Sequence, residues 1–175
     1  MMNRRKMLQH LGALAVLPLL PALSRATDSQ AEAKGDAVIA LDKPHAEWRG
    51  VVSAAAYAVL FEEDTEPSGS SPLNNEHREG TFVCAACRLP IFNSADKFES
   101  GTGWPSFTQP IAGHIRKKRD FKLIWPRTEY HCARCGGHQG HVFDDGPKPR
   151  GERWCNNGLA LEFIPVDQPL PELRS

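Results

Sequence analysis

The feature that most constrains the fold of this 175-residue chain is a repeated cysteine spacing. Cys84 and Cys87 stand in "CAAC", and Cys132 and Cys135 stand in "CARC". A CxxC turn brings two thiolates within reach of one ion, and two such turns supply the tetrahedral four-sulfur shell that Zn²⁺ prefers. The spacing therefore predicts one structural zinc ion per chain, bound by these four cysteines.

The 44 residues that separate Cys87 from Cys132 are more than a zinc ribbon usually has between its cysteine pairs. The metal would therefore hold together two parts of a sheet that are distant in sequence. Two disulfides or a CxxC redox pair are the alternatives, because an exported protein meets an oxidising compartment. A disulfide within one CxxC closes a very small loop and would stabilise the fold little.

Residues 1–26 have the pattern of an export signal. Arg4 and Arg5 precede an apolar run over 11–23, and small residues around Ala26 follow it. The run is shorter than the roughly 20 residues that a membrane-spanning helix needs, which favours a cleaved signal over a retained anchor. The paired arginines resemble a twin-arginine signal, and an ordinary secretory signal is the alternative. We predict an exported, periplasmic protein without stable membrane insertion after processing.

Composition divides the rest of the chain into three segments. Residues 27–44 are small and polar and predict a flexible leader, 45–168 predict one folded domain, and 169–175 form a polar tail. The formal net charge of zero implies no general attraction to nucleic acid. We expect the mature protein to be a monomer.

Short apolar runs broken by Gly and Pro predict a mainly β domain rather than a helix bundle. The segment "AEWRGVVSAAAYAVLFEE" predicts a short helix followed by an extended stretch. "SGTGWPSF" is too rich in Gly, Ser and Pro to be anything but a shaped loop. The predicted strands are "GTFVCAAC", "LPIFN", "FKLIWP", "EYHCARC", "HVFDD" and "LALEFIP".

Cys155, in "RWCNNG", is the one cysteine outside the two pairs. Arg153 and the amides that follow the cysteine would favour its thiolate, which is the reactive form of a thiol. His138 and His141 in "GGHQGH" could hold a proton for such a nucleophile or orient it. The alternatives are an inert core cysteine and a histidine pair that binds metal.

Five motifs in chain order resemble the B-type methionine sulfoxide reductases: "CAAC", "SGTGWPSF", "RTEYHCARC", "GGHQGHVFDDGP" and "GERWCNNGLALEF". The resemblance covers roughly residues 45 to 165. It implies antiparallel sheets in a small barrel-like sandwich, with short N-terminal helices and a four-cysteine zinc site. It also implies reduction of the R epimer of methionine sulfoxide in oxidised proteins, a repair activity under oxidative stress.

The resemblance also assigns roles to single residues. Cys155 matches the nucleophile, whose thiolate attacks the sulfoxide sulfur and becomes a sulfenic acid. Trp104 matches the residue whose ring packs against the substrate methyl group, and Arg153 would orient the thiolate. The positions that hydrogen-bond the sulfoxide oxygen, directly or through water, are His138, His141 and Asn157.

Two departures from the family pattern bear on the mechanism. Thr102 stands where many members carry a resolving cysteine, and the four paired cysteines would be bound to zinc. An external thiol donor, such as a thioredoxin-like protein, must then reduce Cys155 again. Arg88 replaces the glycine that commonly follows the first CxxC. A secreted zinc-knuckle binding module with a structural Cys155 is the alternative function.

Overall fold

A computed structural model describes residues 37–120 and 127–175. The described residues belong to one compact unit, which spans 34–175. The predicted export signal, most of the predicted leader and the predicted strand "FKLIWP" lie outside the described residues. No helix within the described ranges is both long enough and apolar enough to cross a membrane.

Two antiparallel sheets build the domain, which confirms the mainly β prediction. The three-stranded sheet has the order β2-β1-β9, and the six-stranded sheet has the order β3-β4-β8-β7-β6-β5. Among the described residues, neither sheet closes into a barrel. The strands are β1 Gly80–Cys84, β2 Pro90–Asn93, β3 Lys97–Phe98, β4 Ser106–Phe107, β5 Ile115–Asp120, β6 Arg127–Cys132, β7 His138–Phe143, β8 Arg153–Asn156 and β9 Leu161–Pro165.

Buried aromatic rings join the two sheets. Phe92 of β2 stacks on Phe107 of β4 with ring centroids 4.0 Å apart, and Phe82 of β1 meets Phe107 edge-on at 5.0 Å. Tyr130 of β6 contacts Phe92 at 6.2 Å and Trp154 of β8 at 5.0 Å. Because large apolar side chains dominate core energetics, this cluster fixes the smaller sheet over the larger one.

The order of the N-terminal elements differs from the prediction. A 3-10 helix over His45–Trp48 comes first, and the stretch predicted to be extended forms α1, Ala54–Glu62. Ser53 caps α1, since its hydroxyl accepts a hydrogen bond from the Ala56 amide at 3.1 Å. The extended assignment was wrong because the cap and the alanine-rich start favour a helix. The other 3-10 helices are Pro72–Asn75, Ser94–Asp96 and Gly158–Ala160.

β3, β5 and β8 were not predicted as strands, and β4 lies in the segment "SGTGWPSF", which was wrongly predicted to be entirely loop because its pairing with β8 is tertiary. β5 carries a run of exposed basic side chains and pairs with β6 along six residues. Its consecutive charged residues lack the alternation of apolar and polar residues that predicts a strand. Basic residues are typical of an edge strand, where they prevent pairing with a strand of another molecule. β8 is short and lies between β4 and β7, where tertiary pairing defines it.

Candidate active site and four-cysteine centre

The sulfur atoms of the four paired cysteines lie within 4.8 Å of one another and are buried. The Cys84 and Cys135 sulfurs are 3.6 Å apart, and those of Cys87 and Cys132 are 3.5 Å apart. All four are free thiols, so the disulfide alternative is wrong. A tetrahedral ion with metal–sulfur bonds of about 2.3 Å would hold its ligand sulfurs about 3.8 Å apart. The cluster therefore fits one metal ion.

The two CxxC turns share one backbone geometry. The Arg88 amide donates to the Cys84 carbonyl at 2.8 Å, and the Gly136 amide donates to the Cys132 carbonyl at 3.0 Å. The residue after each turn has a positive φ, 62° at Arg88 and 74° at Gly136. Glycine adopts this left-handed conformation without the steric penalty that a side chain brings. Arg88 therefore adopts a conformation that favours glycine. The second turn has a glycine, Gly136, at the equivalent position.

The end of the predicted polar tail lies over the first CxxC turn. The Arg174 amide donates to the Cys87 carbonyl at 3.1 Å, and its guanidinium donates to the Ala85 and Ala86 carbonyls at 2.8 and 3.2 Å. The carbonyl of Arg174 in turn accepts a hydrogen bond from Arg134, which lies in the second CxxC turn. This contact satisfies carbonyls that the turn itself leaves free.

Cys155 lies in the middle of the six-stranded sheet. Its neighbours in register are Ser106 on β4 and His141 on β7. The cysteine is half-buried and lines a pocket of about 140 Å³ together with the rings of Trp104 and Phe143. The remaining lining residues are Thr65, Arg127, Gly140, His141, Asn156 and Asn157. The structure thus places a free thiol in a small, largely apolar cleft.

Opposing effects set the pKa of Cys155. Burial raises it above the usual value for a thiol, while the charge of Arg153 and a hydrogen bond from the Thr102 hydroxyl lower it in part. Arg153 is held by Asp145 through two hydrogen bonds of 2.8 and 2.9 Å. A paired, planar guanidinium keeps its orientation better than a free one, so Asp145 positions the cation beside the sulfur.

His141 is the predicted histidine that faces the pocket. Its Nε2 lies 3.0 Å from a carboxylate oxygen of Asp120, which also accepts a hydrogen bond from Arg127 at 2.7 Å. Burial lowers the pKa of His141, and the hydrogen bond to Asp120 offsets this only in part. Burial therefore favours the neutral form of this ring. Asp120 carried no sequence signal, since it merely ends the basic run of β5.

His138 does not line the pocket. It is buried, its ring centroid is 5.3 Å from that of His141, and burial lowers its pKa to about 4. Residues three apart in a regular strand point to opposite faces of a sheet. Here Tyr130 pairs with Gly140 whereas the next residue of β6 pairs with His138, so Gln139 is an extra residue in β7. This bulge turns both imidazoles to one face.

Glu66 connects two of the predicted site residues and was not anticipated. Its amide donates to the Asn157 side-chain oxygen at 3.2 Å, and its carbonyl accepts from the Trp104 indole at 3.1 Å. The Asn157 side chain also donates to the Gln139 carbonyl at 3.1 Å. The buried Glu66 carboxylate accepts from the Gly158 amide at 2.5 Å. Asn157 therefore lines the pocket with both ends of its amide already bonded to the protein.

Comparison with known proteins places these features in a family. The SelR domain matches residues 52–165. A protein of Bradyrhizobium diazoefficiens named peptide methionine sulfoxide reductase MsrB is 46% identical over 139 residues, which cover 79% of this chain and 98% of the relative. Proteins of the same name from Leptospira interrogans and Methanosarcina barkeri are 42% and 44% identical. These matches cover 70% and 71% of this chain, and 95% and 88% of the respective relatives.

Proposed function

The chain belongs to the peptide methionine sulfoxide reductase B family, and on that premise we propose that Cys155 reduces the R epimer of methionine sulfoxide in proteins. One observation carries the assignment of the nucleophile. Cys155 is the only cysteine outside the buried cluster of four, and it lines a pocket beside His141. Membership of a family of reductases favours an enzyme over the alternative of a zinc-knuckle binding module.

The pocket suits the end of an oxidised methionine side chain. Trp104 and Phe143 offer apolar ring surface to the methyl group, and the Cys155 sulfur lies in the same cleft. A ligand that must place its methyl on the rings and its sulfur against the thiol has one orientation left for its oxygen. The two sulfoxide epimers differ in that orientation, which is the basis we propose for selection of the R epimer.

The chemical step transfers one oxygen atom. The Cys155 thiolate attacks the sulfoxide sulfur and forms an S–S bond, while the oxygen takes up the proton that the thiol released. The hydroxyl then moves from the substrate sulfur to the Cys155 sulfur, the S–S bond breaks, and methionine departs. The substrate sulfur gains two electrons, and Cys155 loses two and becomes a sulfenic acid. A neutral His141, held by Asp120, is suited to accept the thiol proton and to return it toward the oxygen.

Regeneration of Cys155 needs two external thiols. The first condenses with the sulfenic acid to a mixed disulfide and releases water, and the second displaces Cys155 from it as a thiol. Thr102 lies next to the Cys155 sulfur and cannot form a disulfide. The other cysteines are buried among themselves. We therefore assign the reducing role to a thioredoxin-like protein.

We assign the four-cysteine centre to Zn²⁺ as a structural ion, because four thiolates in closed tetrahedral spacing suit zinc.

We also propose that the protein is exported to the periplasm and is a monomer. Export is supported by the paired arginines and the short apolar run within residues 1–26. In that compartment the thiol donor must face the periplasm as well.

The decisive experiment offers the R and S epimers of a dabsylated methionine sulfoxide separately, with dithiothreitol as the reductant. We expect turnover of the R epimer alone, and none with Cys155→Ser. Equal turnover of both epimers would contradict the proposed stereochemistry, and turnover by the variant would contradict the assignment of the nucleophile.

A further inference from the structure

A second cluster of metal-binding side chains lies on the six-stranded sheet, apart from the four cysteines. Glu129, His131 and His138 offer ligand atoms that all lie within 4.8 Å of one another. Glu129 and His131 are two apart on β6 and share a face of the sheet. The bulge in β7 places His138 directly opposite His131.

The two imidazole–carboxylate distances in this cluster are close to ligand–ligand distances around a small metal ion. The His131 Nε2 lies 3.4 Å from one oxygen of Glu129, and the His138 Nδ1 lies 3.5 Å from the other. An ion with bonds of about 2.0–2.1 Å to nitrogen and oxygen in tetrahedral geometry holds its ligand atoms about 3.4 Å apart. The three side chains therefore fit a metal ion with little rearrangement.

The backbone contact of His131 uses one ring nitrogen and leaves the other directed at the carboxylate. Its Nδ1 lies 3.1 Å from the Gly136 carbonyl, and because a carbonyl can only accept, Nδ1 carries the hydrogen. The other ring nitrogen, Nε2, is buried, has no hydrogen-bond partner and lies 3.4 Å from a Glu129 oxygen. A bond from this nitrogen to a metal ion would satisfy both the nitrogen and the carboxylate that it faces.

His138, on the neighbouring strand β7, also has a ring nitrogen without a partner. Its Nδ1 is buried without a hydrogen-bond partner, and only 2% of its side chain is exposed. An unpartnered buried polar atom costs free energy, and a metal bond would remove that cost. Two unpartnered imidazole nitrogens thus lie on either side of the Glu129 carboxylate, one toward each of its oxygens.

Lys118 is the cation that now lies beside Glu129. Its ammonium is 3.0 Å from Glu129 and 3.1 Å from Glu63, and 60% of its side chain is exposed. A long, exposed lysine can keep its contact with Glu63 while a metal ion takes its place at Glu129. Lys118 should therefore compete with the metal ion.

We propose that Glu129, His131 and His138 form a second metal site, which takes one divalent first-row transition ion such as Zn²⁺. Two imidazoles and one carboxylate with an open fourth position differ in chemistry from the closed thiolate site. The ion would lie one ring away from the reaction site, since His138 contacts His141. Its positive charge would act on His141 there. Filling of this second site would therefore make the rate of sulfoxide reduction depend on the available metal ion.

The test adds Co²⁺ to the full-length protein whose four-cysteine site is already filled with zinc. We expect one further equivalent of Co²⁺ to bind, with visible d–d absorption and without sulfur-to-cobalt charge transfer. With added Zn²⁺, nitrogen-detected NMR should show its largest shifts at the imidazoles of His131 and His138. Absence of a further equivalent in the wild-type protein, or a thiolate spectrum for it, would overturn the proposal.

Three variants separate coordination from nearby charge effects. His131→Gln should weaken Co²⁺ binding by more than the roughly 100-fold that loss of an outer-shell partner can cause. Lys118→Met should tighten binding, because it removes the competing ammonium. His77→Gln is the matched control, since His77 also faces a carboxylate, Glu99 at 3.9 Å, but has no described third ligand. Equal binding by His131→Gln and wild type would refute the site, as would weakening by His77→Gln.

Discussion

The two cysteine environments of this enzyme contain the same atom type in opposite surroundings. In the four-cysteine centre, each buried sulfur faces three other sulfurs at the ends of hydrogen-bonded turns. Cys155 is half-buried and faces Arg153, Thr102 and a pocket instead. Surroundings rather than residue type therefore decide whether a thiol holds a metal ion or reacts.

The two environments are joined by one buried residue, Gln139. Its side-chain nitrogen lies 3.5 Å from the Cys84 sulfur, and its carbonyl accepts the Asn157 amide at 2.8 Å, two residues beyond Cys155. Because Gln139 is also the bulge residue of β7, the same distortion serves both centres. Substitutions at each centre can show whether one functions without the other.

Removal of the metal ion should have the largest effect. Structural zinc in small metal-dependent units contributes on the order of 10 kcal/mol, which matches or exceeds the whole stability of a typical domain. We expect Cys132→Ser to yield insoluble or metal-free protein with no cooperative unfolding transition. Metal analysis and circular dichroism provide the measurement. A stable, active, metal-free variant would show that the cluster has no structural role.

Cys155→Ser should abolish activity while the metal content and the fold stay intact. A serine hydroxyl is a much weaker nucleophile than a thiolate, and it cannot be oxidised to a sulfenic acid. Turnover of the R sulfoxide should fall below detection, and thermal unfolding should match the wild-type protein. Loss of metal in this variant would mean that the two environments are not independent.

Thr102→Cys should convert the enzyme to an internal disulfide mechanism. The Thr102 hydroxyl hydrogen-bonds the Cys155 sulfur, so a thiol at this position is within reach of the sulfenic acid. After one turnover without reductant, mass spectrometry should find the 102–155 disulfide in the variant and a dimedone-reactive Cys155 in the wild type. Thr108→Cys serves as the control, because Thr108 bonds Asp96 instead.

Arg153→Gln should shift the pH dependence of kcat/KM to higher pH. The thiolate fraction of Cys155 rises with pH, and Arg153 lowers the pKa of that thiol, so its loss moves the rise upward. At pH 7 we expect a loss of at least about fivefold, the equivalent of about 1 kcal/mol of attraction between charges 4 Å apart in water. The rates should converge at high pH, and Arg116→Gln should leave the profile unchanged.

Arg88→Gly should give the smallest effect, a gain in stability. The left-handed conformation costs a side-chain-bearing residue roughly 1–2 kcal/mol, and the greater freedom of glycine in the unfolded chain returns about 0.5–1 of that. We expect about 0.5–1 kcal/mol of stabilisation by denaturant unfolding. Gly136→Ala places a side chain at the matching position of the other turn and should destabilise the protein.

Local signals predicted more of the fold than of the site. The CxxC spacing predicted that two distant turns share one point, since four thiols have few other ways to be satisfied together. The apolar runs located β1, β2, β6, β7 and β9. β5 was not predicted because four exposed basic residues follow one another in it, and an edge strand does not need alternating apolar residues.

The sequence by itself determined which side chains can react, because thiol, imidazole and guanidinium chemistry belongs to the residue and short spacings belong to the chain. Only the tertiary structure decided what each of them faces. Asp120 behind His141, and Glu66 between Trp104 and Asn157, are contacts across tens of residues that strand register creates. The bulge at Gln139 turns His138 toward His141 and Glu129, and no local pattern encodes it, because a register shift depends on the partner strand.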